Sequence, residues 1–424
     1  MSRESDSPGA SVDRTPASSS EPNARDSLRS ARLVLLLGIV SGVGSVIATP
    51  FVSPEQFMLA SDVYYYAADA LLAGENIYEV TPPERPGYYY IYPPVVTFLF
   101  FPHVLLGSPV ASFALQTVLN VVFAVGIAVV LWRALSRRGV SLSRLDGGLL
   151  VGFALLSAYS AITVVNGQVN IWLAFAFALG LDALDQRRYR LAGAAFAAAA
   201  LVKVFPALLG LWLLRLRAWT AVVVAVGVGV AGLLVGLLAL GPDLTVTYFT
   251  EVLTGRYDGF DGAPAPTQSR DGAQRQIAAI FGLGPPYVTV VALGVLAPVL
   301  GYLYLDIETD TQRQAAVLGT ILVTLLFFPL QRLYMILLVF PFVILLYLLP
   351  PGRSRTLLVV GAVISFLRLD YTVVELALTT APLPAAIETG ALSVAESFFQ
   401  VILPPTLGMW LMLVACMFVQ HDSE

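Results

Sequence analysis

Lys203 and Asp62 are the residues of this chain whose type and setting most invite chemistry. Lys203 is the single lysine among 24 basic residues and stands inside the apolar run LVKVFPAL. An ammonium at the centre of a membrane helix costs on the order of 2.5–3.5 kcal/mol on insertion scales, so it needs a partner or a task. Arg332, in PLQRLY, is a second isolated cation among apolar residues. Two cations at one face attract an anion, and a lipid phosphate is the anion that a membrane surface offers. A structural salt bridge to a loop carboxylate is the competing reading. Asp62 opens the stretch SDVYYYAADALLAGENIY, residues 61–78. A carboxylate at headgroup depth is partly desolvated, which raises its pKa toward that of a useful general base. It could equally cap or solvate a surface helix.

Other polar residues gather in a few places. Asp69 follows Asp62 on the same predicted helix, and Tyr65 lies between them. YYYIYPPVV, residues 88–96 and including Tyr92, is an aromatic belt; such residues anchor a membrane interface and also stack on sugar rings. In NGQVN, Asn166 suits a tight helix–helix turn, whereas Gln168 and Asn170 fall where a second helix begins and need hydrogen-bond partners there. The long segment 241–285 offers Arg256, Asp258, Asp261, Arg270 and Arg275. Its YDGFDG has too little of the calcium-loop pattern to predict a metal site. The single cysteine, Cys416, excludes an intrachain disulfide, and the two histidines, His103 and His421, are far apart in sequence. No metal is expected, although carboxylates could hold a cation.

The elements that must position these residues are membrane helices. The 424 residues are 57% hydrophobic and 12% charged, with a mean hydropathy of +0.79, where a soluble domain carries about a quarter charged residues. Apolar runs at about 33–52, 92–132, 146–165, 167–184, 191–214, 218–240, 286–304, 314–330, 332–349, 356–372 and 398–419 predict an all-α polytopic membrane protein with about 11–13 transmembrane segments. Nothing resembles a basic nucleic-acid surface. Residues 1–28 are polar and rich in Ser and Pro, which predicts a disordered cytoplasmic tail; 29–420 read as one transmembrane domain. Ser61 as N-cap and Gly74 as stop predict a short interfacial helix over 62–73.

Arginine placement sets the expected orientation. Arg25, Arg29 and Arg32 precede the first run, and WRALSRRGVSLSR, QRRYR, RLR and GRSR are the other basic clusters. All face the cytoplasm, together with both termini, on two conditions. Run 92–132, broken at LLGSPVAS, must be a half-penetrating piece plus one span, and run 191–214 must turn back near Lys203, where Pro206 interrupts the helix. Loops 53–91 and 241–285, the NGQVN turn, Lys203 and the FFPLQRLY turn then share the external face.

In this order, SDVYYYAADALLAGENIY, YYYIYPPVVTFLFFP, NGQVNIWLAFAFALGL and LAGAAFAAAALVKVFPALLGLWLL resemble glycosyltransferase family 87, polytopic enzymes of GT-C fold typified by mannosyltransferases that use polyprenyl-phosphate mannose. The resemblance covers roughly residues 30–350, and order and spacing carry it, not any one motif. It implies that Asp62 is the catalytic base and that Asn166, Gly167, Gln168, Lys203 and Pro206 help form the donor site. Relatives carry a His-containing SP-x-x-W-x-H-H-like sequence before a late helix; this chain reads FFPLQRLYMILLVFPF there, with Arg332 and Tyr334 as its polar residues. The implied reaction moves a hexose such as mannose from a polyprenyl-phosphate donor to a glycolipid or glycan acceptor at the external face. It inverts the anomeric carbon and needs no cofactor, the lipid-linked sugar being a substrate. A lipid-linked sugar transporter or flippase and a non-catalytic membrane scaffold are the alternative readings.

Overall fold

Proline and glycine decide where the apolar runs break. The computed structural model describes residues 20–255, 263–268, 270, 272–328 and 332–421. Of these 78% are helical and none lies in a strand. Helix α1 (Ser20–Val52) leads through a short turn to α2 (Leu59–Ala73). Residues 20–28 are helical at the start of α1, and residues 1–19 lie outside the described residues. The predicted stop of α2 holds, with Gly74 left-handed at φ 78°. The predicted start does not. Met58, left-handed, precedes the helix; its N–H donates to the Val165 carbonyl (2.9 Å) and its carbonyl accepts from Asp62 N–H (3.0 Å). A tertiary contact, invisible in local sequence, begins the helix one turn early, and Ser61 Oγ donates back to the Met58 carbonyl (3.0 Å).

The run 92–132 divides as LLGSPVAS suggests. A 3-10 segment (Pro94–Phe100) and α3 (Phe101–Val104) precede α4 (Pro109–Arg137), which Ser108 caps by accepting from Ala111 N–H (3.2 Å). The eleven residues Pro94–Val104 span roughly 16–22 Å at helical rises, short of a bilayer core of about 30 Å. Then come α5 (Arg144–Leu156), α6 (Ala161–Asn166), α7 (Asn170–Asp185) and α8 (Tyr189–Val202). The helix breaks at Lys203, which is extended, and resumes as a 3-10 turn (Phe205–Leu208) and α9 (Leu209–Arg215). Both α8 and α9 pack on α10 (Trp219–Leu240).

Beyond α10 lie α11 (Pro242–Thr247), a π turn (Tyr248–Val252), α12 (Leu253–Gly255), α13 (Ala273–Phe281), α14 (Tyr287–Leu303) and α15 (Asp310–Phe327). A 3-10 segment (Arg332–Leu338) joins α16 (Val339–Leu348), followed by α17 (Arg353–Ser365), α18 (Tyr371–Thr380), α19 (Ala385–Val401) and α20 (Pro404–His421). Residues Gln314–Leu326 and Val339–Tyr347 are buried throughout, so α15 and α16 form the centre of the bundle. Helix α10 is the opposite case: apolar throughout, it buries little beyond Ala221 and Gly236 and presents Val223, Val230 and Leu234 outward, as a lipid-facing helix does.

Among the described residues three helices are long and apolar enough to cross a membrane, Ser27–Val52, Pro109–Arg137 and Trp219–Leu240, and α19 with α20 makes a fourth, bent by 50°. The other apolar runs of the sequence arrive as shorter helices. At one end of α7, Arg137 pairs with Asp182, while Arg138 holds Asp185 (2.6 Å) and Asp310 (2.5 Å). The other end of α7 holds the site.

Candidate active site

Gly167 makes the α6–α7 turn possible. Its φ of +66° is left-handed, and a Cβ there would stand 2.8 Å from Ser61 Cβ, so the turn packs directly on α2. Asn170 follows at the first position of α7, buried, with its Nδ2 donating to the Leu333 carbonyl (3.2 Å) and its Oδ1 turned to Lys203. The break after α8 frees Lys203 from a helix face and directs it inward. Only 6% exposed, the ammonium donates to Asn170 Oδ1 (2.9 Å), Tyr334 OH (3.1 Å) and Gln168 Oε1 (3.5 Å). It also lies 4.3 Å from the ring centroid of Tyr334 and 5.4 Å from that of Tyr92, within cation–π range. Every one of these partners is neutral. Among the described residues no carboxylate pairs with Lys203, which removes the salt-bridge reading for them; burial lowers the lysine's pKa, and an anion arriving beside it would favour the charged form.

Gln168 ties this cation to α2. Its Oε1 faces Tyr64 OH (3.2 Å) and Tyr92 OH (3.3 Å), and the two hydroxyls are 2.8 Å apart. Two hydroxyl protons cannot satisfy three contacts at once, so at most two of these hydrogen bonds form together. Burial pushes the Tyr64 phenol well above its ordinary value, keeping it a proton donor.

Asp62 lies two residues before Tyr64, about 3 Å along the helix axis and turned to another face. It is 9% exposed. Its Oδ2 is 3.6 Å from an Arg85 guanidinium nitrogen, and its Oδ1 is buried with no hydrogen-bond partner among the described residues. Burial pushes the carboxyl up to about 6, Arg85 opposes that rise and Glu84 adds to it. An orphan carboxylate oxygen with a raised pKa can accept a proton near neutrality. Arg85 is held by the Phe57 carbonyl (2.5 Å).

The remaining expected residues are dispersed. Tyr65 is half-buried with its ring edge against Tyr66 (5.3 Å), and Tyr64 takes the place at the cluster; Asp69 is exposed. Asn166, with its amide turned toward them, donates to the carbonyls of Gln56 (2.7 Å) and Ile162 (3.3 Å), pinning the turn to the segment before α2. Arg332 is half-buried with its charge near that of Arg368; Tyr334, two residues on, is the side chain of that segment that reaches Lys203. Arg275 is fully buried and donates to the carbonyls of Ala265, Gln268, Arg270 and Phe399, organising its own loop. Arg256, Asp258 and Asp261 lie outside the described residues. Among the described residues no three His, Cys, Asp or Glu side chains are placed to hold a metal ion together. Two residues of the site escaped sequence reading. Tyr64 shares a buried face with Ala60, Ala67 and Ala68, and that four- and seven-residue spacing was the available signal; nothing local marked Arg85.

An apolar cavity of about 420 Å³ runs between α8, α9, α10 and the π turn, lined by Pro93, Leu201, Val204, Pro206, Gly229 and Tyr248 among others, while the Lys203 side chain turns to Asn170. Leu201 and Val204 flank Lys203 in sequence, and Pro93 adjoins Tyr92. Val226, also in the lining, is 60% exposed, so the cavity opens on the outer face of α10.

The family model of glycosyltransferase family 87 matches residues 90–329, more than half of the chain. The chain belongs to glycosyltransferase family 87. Within this family 87 member the match includes Tyr92, Gln168, Asn170 and Lys203, while α2 with Asp62 precedes it and Tyr334 follows it. The chain is also 29% identical over 284 residues to the polyprenol-phosphate-mannose-dependent alpha-(1-2)-phosphatidylinositol pentamannoside mannosyltransferase of Mycolicibacterium smegmatis. That match covers 66% of each protein, just under two thirds of the relative's length.

Proposed function

We propose that this protein is an integral membrane glycosyltransferase that moves a hexose, mannose being the favoured candidate, from a polyprenyl-phosphate donor to a hydroxyl of a glycolipid acceptor. The observation that carries this reading is the buried Lys203 amine, which among the described residues meets neutral groups, with its chain neighbours Leu201 and Val204 lining an apolar cavity. That combination suits an amphiphile with an anionic head and a hydrocarbon tail. Family 87 membership and the name of the Mycolicibacterium smegmatis relative support reading that amphiphile as a polyprenol-phosphate sugar.

The reaction follows from the two charges. The acceptor hydroxyl oxygen forms a bond to the anomeric carbon as the bond from that carbon to the phosphate oxygen breaks, and the electron pair leaves on the polyprenyl phosphate. Lys203 stabilises the charge growing on that phosphate, as a preorganised cation in a water-poor site does. Tyr334 and Asn170 hold the ammonium in place. Asp62 Oδ1 receives the hydroxyl proton, which requires it to be ionised beforehand. Attack opposite to the leaving group inverts the anomeric carbon.

Purified protein in vesicles supplied with polyprenyl-phosphate mannose and a mannolipid acceptor tests this. Asp62→Asn is expected to lower kcat about 10²–10⁴-fold, the usual contribution of a general base, with donor KM little changed. Undiminished transfer by this variant removes Asp62 from the mechanism.

A further inference from the structure

Behind the Tyr64–Tyr92–Gln168 contacts lies a second polar layer that the proposed reaction does not use. Gln116, on α4, is fully buried. Its Nε2 donates to the backbone carbonyl of Gln168 (3.1 Å) and lies 3.5 Å from Asn120 Oδ1. Because that nitrogen is committed to a carbonyl, the Oε1 must be the acceptor toward His103, whose Nε2–H donates to it at 3.2 Å. His103 and Asn120 are fully buried as well. One amide therefore joins α3, α4 and the α6–α7 turn.

The position of the joint matters. Gln168 is gripped twice, through its backbone by Gln116 and through its side chain by Tyr64, Tyr92 and Lys203. The side-chain contacts, at 3.2, 3.3 and 3.5 Å, already sit at the long end of hydrogen-bond range, where a slip of a few tenths of an ångström breaks them. The turn packs closely on its neighbours, since a Cβ added to Gly167 would stand 2.8 Å from Ser61 Cβ and 3.0 Å from the Phe113 ring. Rotation of the Gln168 peptide therefore moves its side-chain oxygen relative to Lys203.

We infer that Gln116, seated by His103, is a positioning residue for the lipid-phosphate site: it acts on Lys203 and the tyrosine pair through Gln168. This rests on the proposed donor site but not on transfer itself, so binding is the informative readout. Affinity for decaprenyl phosphate is measured in detergent for the wild type, Gln116→Met, Gln168→Ala and the double variant, with Tm for each and mannose transfer alongside. Gln116→Met keeps the side-chain volume and removes both hydrogen-bonding groups. It is expected to weaken decaprenyl phosphate binding about tenfold in the wild-type background, the order expected if the Gln168–Lys203 hydrogen bond that it positions is lost, and less than about twofold in the Gln168→Ala background, since residues acting in series do not add. A merely structural role lowers Tm equally in both backgrounds and leaves the affinity unchanged. If Gln116→Met does not fold, His103→Phe takes its place, with the same pattern and a smaller effect. Equal loss of affinity in both backgrounds, or none in either, overturns the inference. Wild type that binds decaprenyl phosphate without transferring mannose refutes the glycosyltransferase reading and leaves the coupling measurable; wild type that does not bind it refutes both.

Discussion

Asp62 is set between opposing influences: burial and Glu84 raise its carboxyl, Arg85 lowers it, and the balance stands at about 6. A base must be ionised to act, so kcat/KM for transfer should rise with pH through about 6. Removing the cation in Arg85→Gln is expected to move that acidic limb to higher pH, while Glu84→Gln moves it lower; limbs that coincide in all three proteins would show that Asp62 does not govern the profile. The stability linkage runs the other way. Because the folded carboxyl sits above its ordinary value of 3.8, the folded state binds the proton more readily than the unfolded chain between 3.8 and about 6. Stability therefore falls as pH rises across that window, and the ionised Asp62 is a cost at neutral pH. Residue types and isolation made Asp62 and Lys203 legible in the sequence, and the amides of NGQVN likewise. Tyr64 was hidden among three consecutive tyrosines, where only the helix phase fixed by α2 packing separates it from Tyr65. Arg85 was hidden because a loop carries it to Asp62 from 23 positions away in sequence.

At the scale of elements, the punctuation of the sequence was readable and its tertiary overrides were not. Gly74, the LLGSPVAS break and the interruption at Lys203–Pro206 all appear where the residue chemistry demands them. The start of α2 moved because Met58 is tied to α6, and the polar start of α1 is helical from Ser20. The groove between α8, α9 and α10 was not foreseen, since it arises from how three apolar helices fail to fill the space between them. Gly229 lines that groove, and a Cβ added to it meets nothing within 4 Å. Gly229→Leu should therefore fold and occupy the cavity. We expect it to raise KM severalfold for a long polyprenyl-phosphate mannose while leaving a short-chain analogue such as citronellyl-phosphate mannose unaffected. Equal effects on both donors would place the hydrocarbon tail elsewhere.

Across the whole molecule, charge is sorted to the two ends of α7. Asn170 meets Lys203 at one end, and Asp182 and Asp185 meet Arg137 and Arg138 at the other, roughly 18–22 Å away by helical rise. Arginines collect on the cytoplasmic side of membrane proteins, so the ion-pair end is the proposed inner face and the Lys203 end the outer one. Tyr64 and Gln168 bring Asp62 to the Lys203 end of α7. This arrangement was expected from the arginine clusters, whereas the expected number of crossings rested on apolar runs that proline and glycine divide into short helices. In the proposed mechanism the donor phosphate sits at Lys203 and the anomeric carbon lies between that phosphate and Asp62. A structure determined with bound decaprenyl phosphate tests it most directly. The phosphate is predicted within hydrogen-bond reach of Lys203 Nζ, with the tail along α10 between α8 and α9; a phosphate held at the arginine end of α7, with the Lys203 pocket closed, contradicts it.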